Sequence, residues 1–278
     1  MDNNILLLKY PNTQLTELTG GYTNYTLLLE GSDPLVIAKV FNKNNGDAKS
    51  ELHTLTLLND SGVSPRIHDY FEDDTSSYII MDYIHGINGQ RFLDQGDMDK
   101  TRQIYKWLGV RLASEIHTIK HKNSHSDLPI IELMNGIDSL DFVPSGLKDK
   151  VKHFLDIHIE EDKTLIHGDF GPHNTIVSDN SMVVIDWEWG GWGHPLQDIA
   201  WTVWFVHLHY PDFCEELSDI FLSTYRLHST LHISEEAVKA FAISRVLNIL
   251  NRIQYANINV KTEWIRRLEW TLNTNFVG

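Results

Sequence analysis

Cysteine is all but missing. Cys214 is the only one in 278 residues, so no internal disulfide can form and a cysteine-built metal site is ruled out. Basic residues are also in short supply: 23 lysines and arginines face 38 aspartates and glutamates, a formal charge of −15. Such a field repels a polyanion and argues against a generic nucleic-acid partner. No apolar run approaches the roughly 18 residues of a membrane-spanning helix. The opening Met1-Asp2-Asn3-Asn4-Ile5 lacks the cationic region of a secretory signal. These absences predict a soluble, cytoplasmic protein that binds neither membrane nor nucleic acid. With 42% hydrophobic residues, the chain is too apolar for wholesale disorder. Its length fits one large domain or two lobes.

The acidity is not a tail. Residues 1–84 carry 5 basic and 12 acidic side chains, and residues 85–278 carry 18 and 26, so both parts are acidic. The first part reads mainly as strands. Tyr22–Leu29 and Leu35–Phe41 flank the turn Glu30-Gly31-Ser32-Asp33-Pro34, and Ile67–Phe71 and Ser77–Ile84 flank Glu72-Asp73-Asp74. Between the pairs, Asp47–Asn59 has Leu52, Leu55 and Leu58 at helical spacing. Further on the period changes. Met98–Lys120 is amphipathic, Gly146–Ile159 reads as a helix, and Leu165–Ile166, Thr175–Val177 and Met182–Ile185 are too brief for anything but strands. After Pro195 the chain reads as helical to the end, with Asp212 and Glu215 as a capping pair for the helix that follows Pro211. The pattern predicts an α+β chain: a small antiparallel-sheet lobe with one helix over residues 1–84, and a larger, mainly helical lobe over 85–278.

The densest chemical signal is Leu165-Ile166-His167-Gly168-Asp169-Phe170-Gly171-Pro172-His173-Asn174, followed by Val184-Ile185-Asp186-Trp187-Glu188. A carboxylate, an amide and a second carboxylate arrive within 18 residues, each beside a short apolar segment that can pin it. Phosphoryl transfer needs this set. One carboxylate accepts the proton of the attacking hydroxyl, and oxygen ligands hold Mg²⁺ across the nucleotide phosphates. Taken singly, His-Gly-Asp is a turn and Asp186 a helix cap; the ordered combination is what carries the signal.

These motifs resemble the aminoglycoside phosphotransferase and choline kinase family, nearest its aminoglycoside branch. Gly193-His194-Pro195-Leu196-Gln197-Asp198-Ile199-Ala200 is similar to that family's D-P-x-x-D-[LI]-A continuation, with His194 where Asp is commoner. The resemblance runs from about residue 15 to 205 and is most specific at 166–200. It implies a protein-kinase-like, two-lobed fold and an ATP-dependent kinase, with GTP as the alternative nucleotide. It also implies a strand lysine paired with a glutamate on the next helix, which Lys39 and Glu51 supply twelve residues apart. A fixed cation for the nucleotide phosphates needs an opposite charge to hold it in place. Gly20 and Gly21, in Leu18-Thr19-Gly20-Gly21-Tyr22-Thr23-Asn24, would cover the nucleotide, since glycines let backbone amides approach phosphates closely. Met81 and Tyr83, where the lobes join, would offer backbone to the adenine edge. The implied roles are Asp169 as catalytic base, and Asn174 and Asp186 as Mg²⁺ ligands.

The acidic helical part suits a cationic, aminoglycoside-like hydroxyl acceptor. A choline or amino-alcohol kinase is the sibling reading, with Trp189 or Trp192 stacking on the cation, and a sugar kinase is a third. A protein substrate is disfavoured, because the stretch from Asp186 to Pro195 holds no Asp-Phe-Gly, no Ala-Pro-Glu and no activation segment. From other classes come a non-catalytic nucleotide-binding pseudokinase and a metal-dependent phosphohydrolase; the latter leaves Lys39 and Glu51 without a role. His117, His121 and His125 sit four apart but read as solvated residues at a helix end. His167 reads as a loop organiser, and Trp201 and Trp204 as core.

Overall fold

The computed structural model describes residues 4–18, 25–43, 45–122, 127–133, 136–157 and 163–277. Five antiparallel strands form the first sheet: β1 (Gln14–Glu17), β2 (Tyr25–Glu30), β3 (Val36–Asn42), β4 (Ile67–Glu72) and β5 (Ser76–Asp82), in the order β1-β2-β3-β5-β4. Helix α1 (Asn4–Lys9) precedes it and α2 (Asp47–Leu58) joins β3 to β4. Strand alternation divides the sheet's side chains. Val36, Ala38 and Val40 gather with Leu27, Leu29, Tyr78 and Ile80 around Leu6 of α1. Phe41, Ile79 and Met81 instead join Ala48, Leu55 and Leu58 of α2 in the main core. Lys39 alternates with the first set, so it projects from the α2 side of the sheet. The short helix α1 and the strand β1 are additions to the single helix and two strand pairs expected from the sequence.

The chain then runs through β6 (Ile87–Asn88), α3 (Gln90–Asp94) and α4 (Met98–Arg111). The Asp97 side chain caps α4 by accepting from the Lys100 amide at 3.1 Å. The helix expected as far as Lys120 ends early. After Arg111 it widens into a π-helical turn, Leu112–Ile116, and stops at His117. Next come β7 (Ile130–Ile131), α5 (Ser145–Leu155), β8 (Thr164–Ile166), β9 (Thr175–Val177), β10 (Met182–Val184) and β11 (Gly191–Gly193). These short strands form two three-stranded sheets, β10-β9-β6 and β7-β11-β8.

Helices α6 (Leu196–His209), α7 (Cys214–His228), α8 (Glu235–Arg252) and α9 (Ile258–Asn273) complete the helical part. Packing of α4 on α7, α6 on α8 and α8 on α9 encloses the main core. The expected Asp212–Glu215 cap of α7 is not made. Phe213 takes the N-cap position without a side-chain hydrogen bond, because a turn closed by Phe213 N–H on Tyr210 C=O carries the chain past Asp212 before the helix begins. No helix among the described residues is long and apolar enough to cross a membrane.

Candidate active site

Strand β8 is fully buried and delivers the chain into His167-Gly168-Asp169. Gly168 sits at φ +78°, and a Cβ there would lie 2.6 Å from the Trp189 carbonyl oxygen. Both the left-handed backbone and the close approach require glycine. The loop is clamped from α6. Asp198, fully buried, accepts the amides of His167 at 2.8 Å and Gly168 at 2.7 Å. The same carboxylate takes His117 Nε2–H at 3.2 Å, which leaves His117 Nδ1 to accept from the Tyr225 hydroxyl at 2.9 Å. His117 is therefore a buried organiser, not the solvated helix-end residue expected. The π-helical turn just before it accompanies that inward placement. His167 donates Nε2–H to the Ile185 carbonyl at 3.0 Å and accepts the Asp169 amide on Nδ1 at 3.2 Å. Burial pushes the pKa of its ring down, so it makes these bonds as a neutral imidazole.

Replacing Asp198 with Ala should strand three donors in a dry site. Each buried unsatisfied group costs about 1–3 kcal/mol, so denaturant unfolding should register a loss of at least about 3 kcal/mol. A loss within experimental error of zero would mean that the clamp does not hold the loop.

Asp169 is tied on both oxygens. The Trp201 indole N–H donates to Oδ1 at 2.6 Å, and Asn174 Nδ2 reaches both Oδ2 (3.0 Å) and the Asp169 carbonyl (2.9 Å). His173 Nε2 lies 3.5 Å and Arg245 Nη2 3.9 Å from Oδ1. Burial works to raise the pKa of this carboxyl. His173 first, then Arg245 and His167, outweigh it and hold the group well below the usual carboxylate range.

The hairpin of β9 and β10 pairs Val184 with Thr175, so the next residue of each strand sets the neighbouring contact. Ile185 N–H bonds the Asn174 carbonyl at 2.9 Å, while the Ile185 carbonyl takes His167. Asp186 follows at φ +65°, a left-handed conformation that Asp tolerates better than most residues. Its Oδ1 meets Lys39 Nζ at 2.6 Å. Lys39 also holds Glu51 Oε2 at 2.5 Å and stands 3.9 Å from Glu188 Oε2. Burial opposes the Lys39 charge, but Glu51, Asp186 and Glu188 overcome that and raise its pKa. Burial is also the largest influence on Glu51. Lys39 pulls its pKa back, Asp186 and Glu188 add to it, and the balance leaves it pushed up to about 7. Glu51, Asp186 and Glu188 each offer a carboxylate oxygen within 4.8 Å of the others. Such a set suits a hard divalent cation, which prefers oxygen ligands.

The expected residues thus fall into two groups joined through Ile185. Lys39, Glu51 and Asp186 come together, and Asp169 meets Asn174. Met81 is buried in β5. The Tyr83 amide is already donated to the Leu35 carbonyl at 3.1 Å, so a base at this edge would meet its carbonyl instead. Gly20 and Gly21, with Thr23 and Asn24, lie outside the described residues, as does His125. Glu188, His117, Asp198, His173, Trp201 and Arg245 were not assigned site positions from the sequence. Trp192 is buried. Trp189 carries two guanidinium groups, Arg245 and Arg252, at 3.8 and 3.3 Å from its ring centroid. Neither indole is left bare for a cationic ligand. Trp201 and Trp204 stack in the core as expected, 4.5 Å apart, but Trp201 also turns its N–H to Asp169.

The sequence profile of the phosphotransferase enzyme family matches residues 14–232. No curated protein sequence gives a significant match. Among solved structures, an amicoumacin kinase (hAmiN, in complex with AMP-PNP, Ca²⁺ and Ami) superposes with a TM-score of 0.71 at 15% identity, covering 100% of this chain and 95% of that one. A thermostable mutant of aminoglycoside phosphotransferase APH(4)-Ia gives 0.70 at 17% identity, covering 98% of each chain. Choline kinase from Cryptosporidium parvum gives 0.66 at 15%, covering 98% of this chain and 95% of that one. At these identities the likeness carries the fold, and the protein-kinase-like α+β architecture expected from the motifs is borne out.

Proposed function

The chain belongs to the phosphotransferase enzyme family, and from that premise we propose that it transfers the γ-phosphate of ATP, or of GTP, to a hydroxyl of a small molecule. It is a small-molecule kinase. In this reading residues 1–84 form the nucleotide-binding lobe, and residues 85–278 supply the catalytic loop, metal site and acceptor pocket. Asp169 orients the acceptor hydroxyl and takes its proton. Trp201 and Asn174 keep the carboxylate aimed. Lys39, steadied by Glu51, takes the nucleotide phosphates, and the segment from Met81 to Tyr83 takes the base. Gly20 and Gly21 would cover the phosphates. Asn174 and Asp186 would hold Mg²⁺, with Glu188 beside them, and the ion neutralises phosphate charge when bound.

One observation supports this reading above the rest. Two oppositely built centres stand either side of Ile185: a carboxylate fixed by N–H donors, and a lysine among three carboxylates. Alignment and charge neutralisation do the catalytic work, with no covalent intermediate. A cationic, aminoglycoside-like acceptor rests on the charge of the whole chain. The choline-type reading loses its aromatic cage, since Trp192 is buried and Trp189 carries the two arginines.

ADP release should be measured with Mg²⁺ and ATP against aminoglycosides, choline, sugars and hydroxy acids. Acceptor-dependent release is expected. Nucleotide binding with no acceptor-dependent release would favour the pseudokinase, and phosphate release without acceptor would favour the phosphohydrolase. No nucleotide binding would remove both nucleotide readings.

A further inference from the structure

Beside the Asp169 carboxylate stands Arg245, its Nη2 3.9 Å from Oδ1. This residue lies near the middle of α8, and its side chain is only 13% exposed. The guanidinium stacks on Trp189 at 3.8 Å and flanks Trp201 at 5.2 Å, which fixes its plane. Yet it makes no hydrogen bond to any described residue, and its buried Nε has no partner. The nearest carboxylate among the described residues, Asp169, stands 3.9 Å away, and the Trp201 N–H holds the same oxygen at 2.6 Å. Burial lowers the pKa of Arg245 to about 10, and Arg252 on the same indole adds to the lowering, so it remains a cation at neutral pH.

A largely buried cation whose solvent-excluded Nε–H has no hydrogen-bonded partner is costly. Were Arg245 only a counter-charge for Asp169, a direct bond would serve better than a 3.9 Å gap. A planar, pre-oriented fork with unused donors matches an oxyanion. We propose that Arg245 receives an oxyanion group of the acceptor, a carboxylate or a phosphate, carried close to the hydroxyl that is phosphorylated. Arg245 is thereby the specificity-determining residue of the acceptor pocket. This rests on the kinase reading with Asp169 as base, and it differs from a polycationic acceptor. Charges spread over the surface are screened within about 10 Å, so the groups within a few ångströms of Asp169 set the field the acceptor meets.

The test uses the full chain with Mg²⁺ and ATP. Hydroxyl compounds are assayed for ADP release in four groups: carboxylates, phosphate esters, neutral polyols and amines. The nucleotide analogue AMP-PNP then allows the same compounds to be titrated calorimetrically without turnover. The best acceptors should come from the carboxylate or the phosphate group, and which of the two leads identifies the oxyanion. Arg245→Met should raise KM for that acceptor about 10- to 100-fold, the value of a charge-assisted hydrogen bond, with AMP-PNP affinity unchanged. Arg245→Lys, which keeps the charge and loses the fork, should fall between and serves if the methionine variant does not fold. Turnover confined to amines or neutral polyols would overturn the proposal and leave the kinase standing. So would an equal loss of kcat with every acceptor, which would place Arg245 on the transferred phosphoryl group. A failure of all four groups to bind in the calorimeter, with AMP-PNP bound, would overturn it as well. Failure of AMP-PNP itself to bind would instead remove the kinase reading.

Discussion

Asp169→Asn is expected to lower turnover by about 10²- to 10⁴-fold, the usual worth of a positioned acid–base group, while nucleotide affinity stays within a few-fold of the parent. The two effects separate because the carboxylate and the Lys39 centre are distinct groups, linked through the backbone of Ile185. The substitution also has a local cost. Both oxygens of Asp169 accept from N–H groups, Trp201 on one side and Asn174 on the other. An asparagine offers one acceptor and one donor, so one of these bonds must fail. Kinetics and nucleotide affinity should therefore be read together. Retained turnover would remove Asp169 from the role of base; lost nucleotide binding would mean that the loop had collapsed. The depressed pKa of this carboxyl adds a second expectation. The group is ionised throughout the neutral and mildly acidic range, so the pH–rate profile should show no acid limb at ordinary carboxylate values. A carboxylate of such low basicity serves chiefly to orient the hydroxyl, and proton transfer follows as the bond to phosphorus forms.

The parts of this site that could be read in the sequence are those whose partners lie on one short segment. Asp169, Asn174 and Asp186 stand on the ends of β8, β9 and β10, where apolar triplets mark the strands and the chemistry sits just beyond them. Lys39 and Glu51 were legible through the family resemblance, which implies a strand lysine paired with a glutamate on the following helix. Residues that meet only through tertiary packing showed no partner in the spacing, even Asp198, which stands in the Gly193–Ala200 motif. Asp198 and His117 are 81 positions apart and His117 and Tyr225 are 108 apart, and nothing in the spacing of His117 and His121 told a buried ring from a solvated one. Trp201 looked like core, and it is core; periodicity reports which face of a helix is apolar, not where an indole N–H points. Arg245 lies beyond the span of the matching motifs, on a helix whose pattern shows only that it packs. Glu188 was visible in Asp186-Trp187-Glu188, but it is the left-handed turn at Asp186 that accompanies its place near Lys39, and a non-glycine residue at positive φ leaves no mark in composition.

Lys39→Met should have its largest effect on stability, and the effect should depend on pH. Among the described residues Lys39 is the cation that Glu51, Asp186 and Glu188 share. Removing one partner of a buried ion pair typically costs about 3–5 kcal/mol, because the other charge is left uncompensated. Glu51 can relieve part of that by taking a proton. Its pKa is already raised from 4.5 to about 7 in the parent, so the native state keeps a proton that the unfolded chain releases. Stability from this group is then full below about pH 4.5 and is lost as pH rises through about 7, since the unfolded state binds fewer protons across that window. Without Lys39 the pKa of Glu51 climbs further, and the decline should become steeper and extend to higher pH. Thermal unfolding between pH 5 and 8.5 would show the variant converging on the parent at the acid end and falling away at the alkaline end. Adding Mg²⁺ should recover more of the lost Tm in the variant than it adds to the parent, because a bound divalent ion restores the missing positive charge. A pH-independent deficit, indifferent to Mg²⁺, would show that the three carboxylates do not act as one charged centre, and the metal-holding role assigned to Asp186 would fall with it.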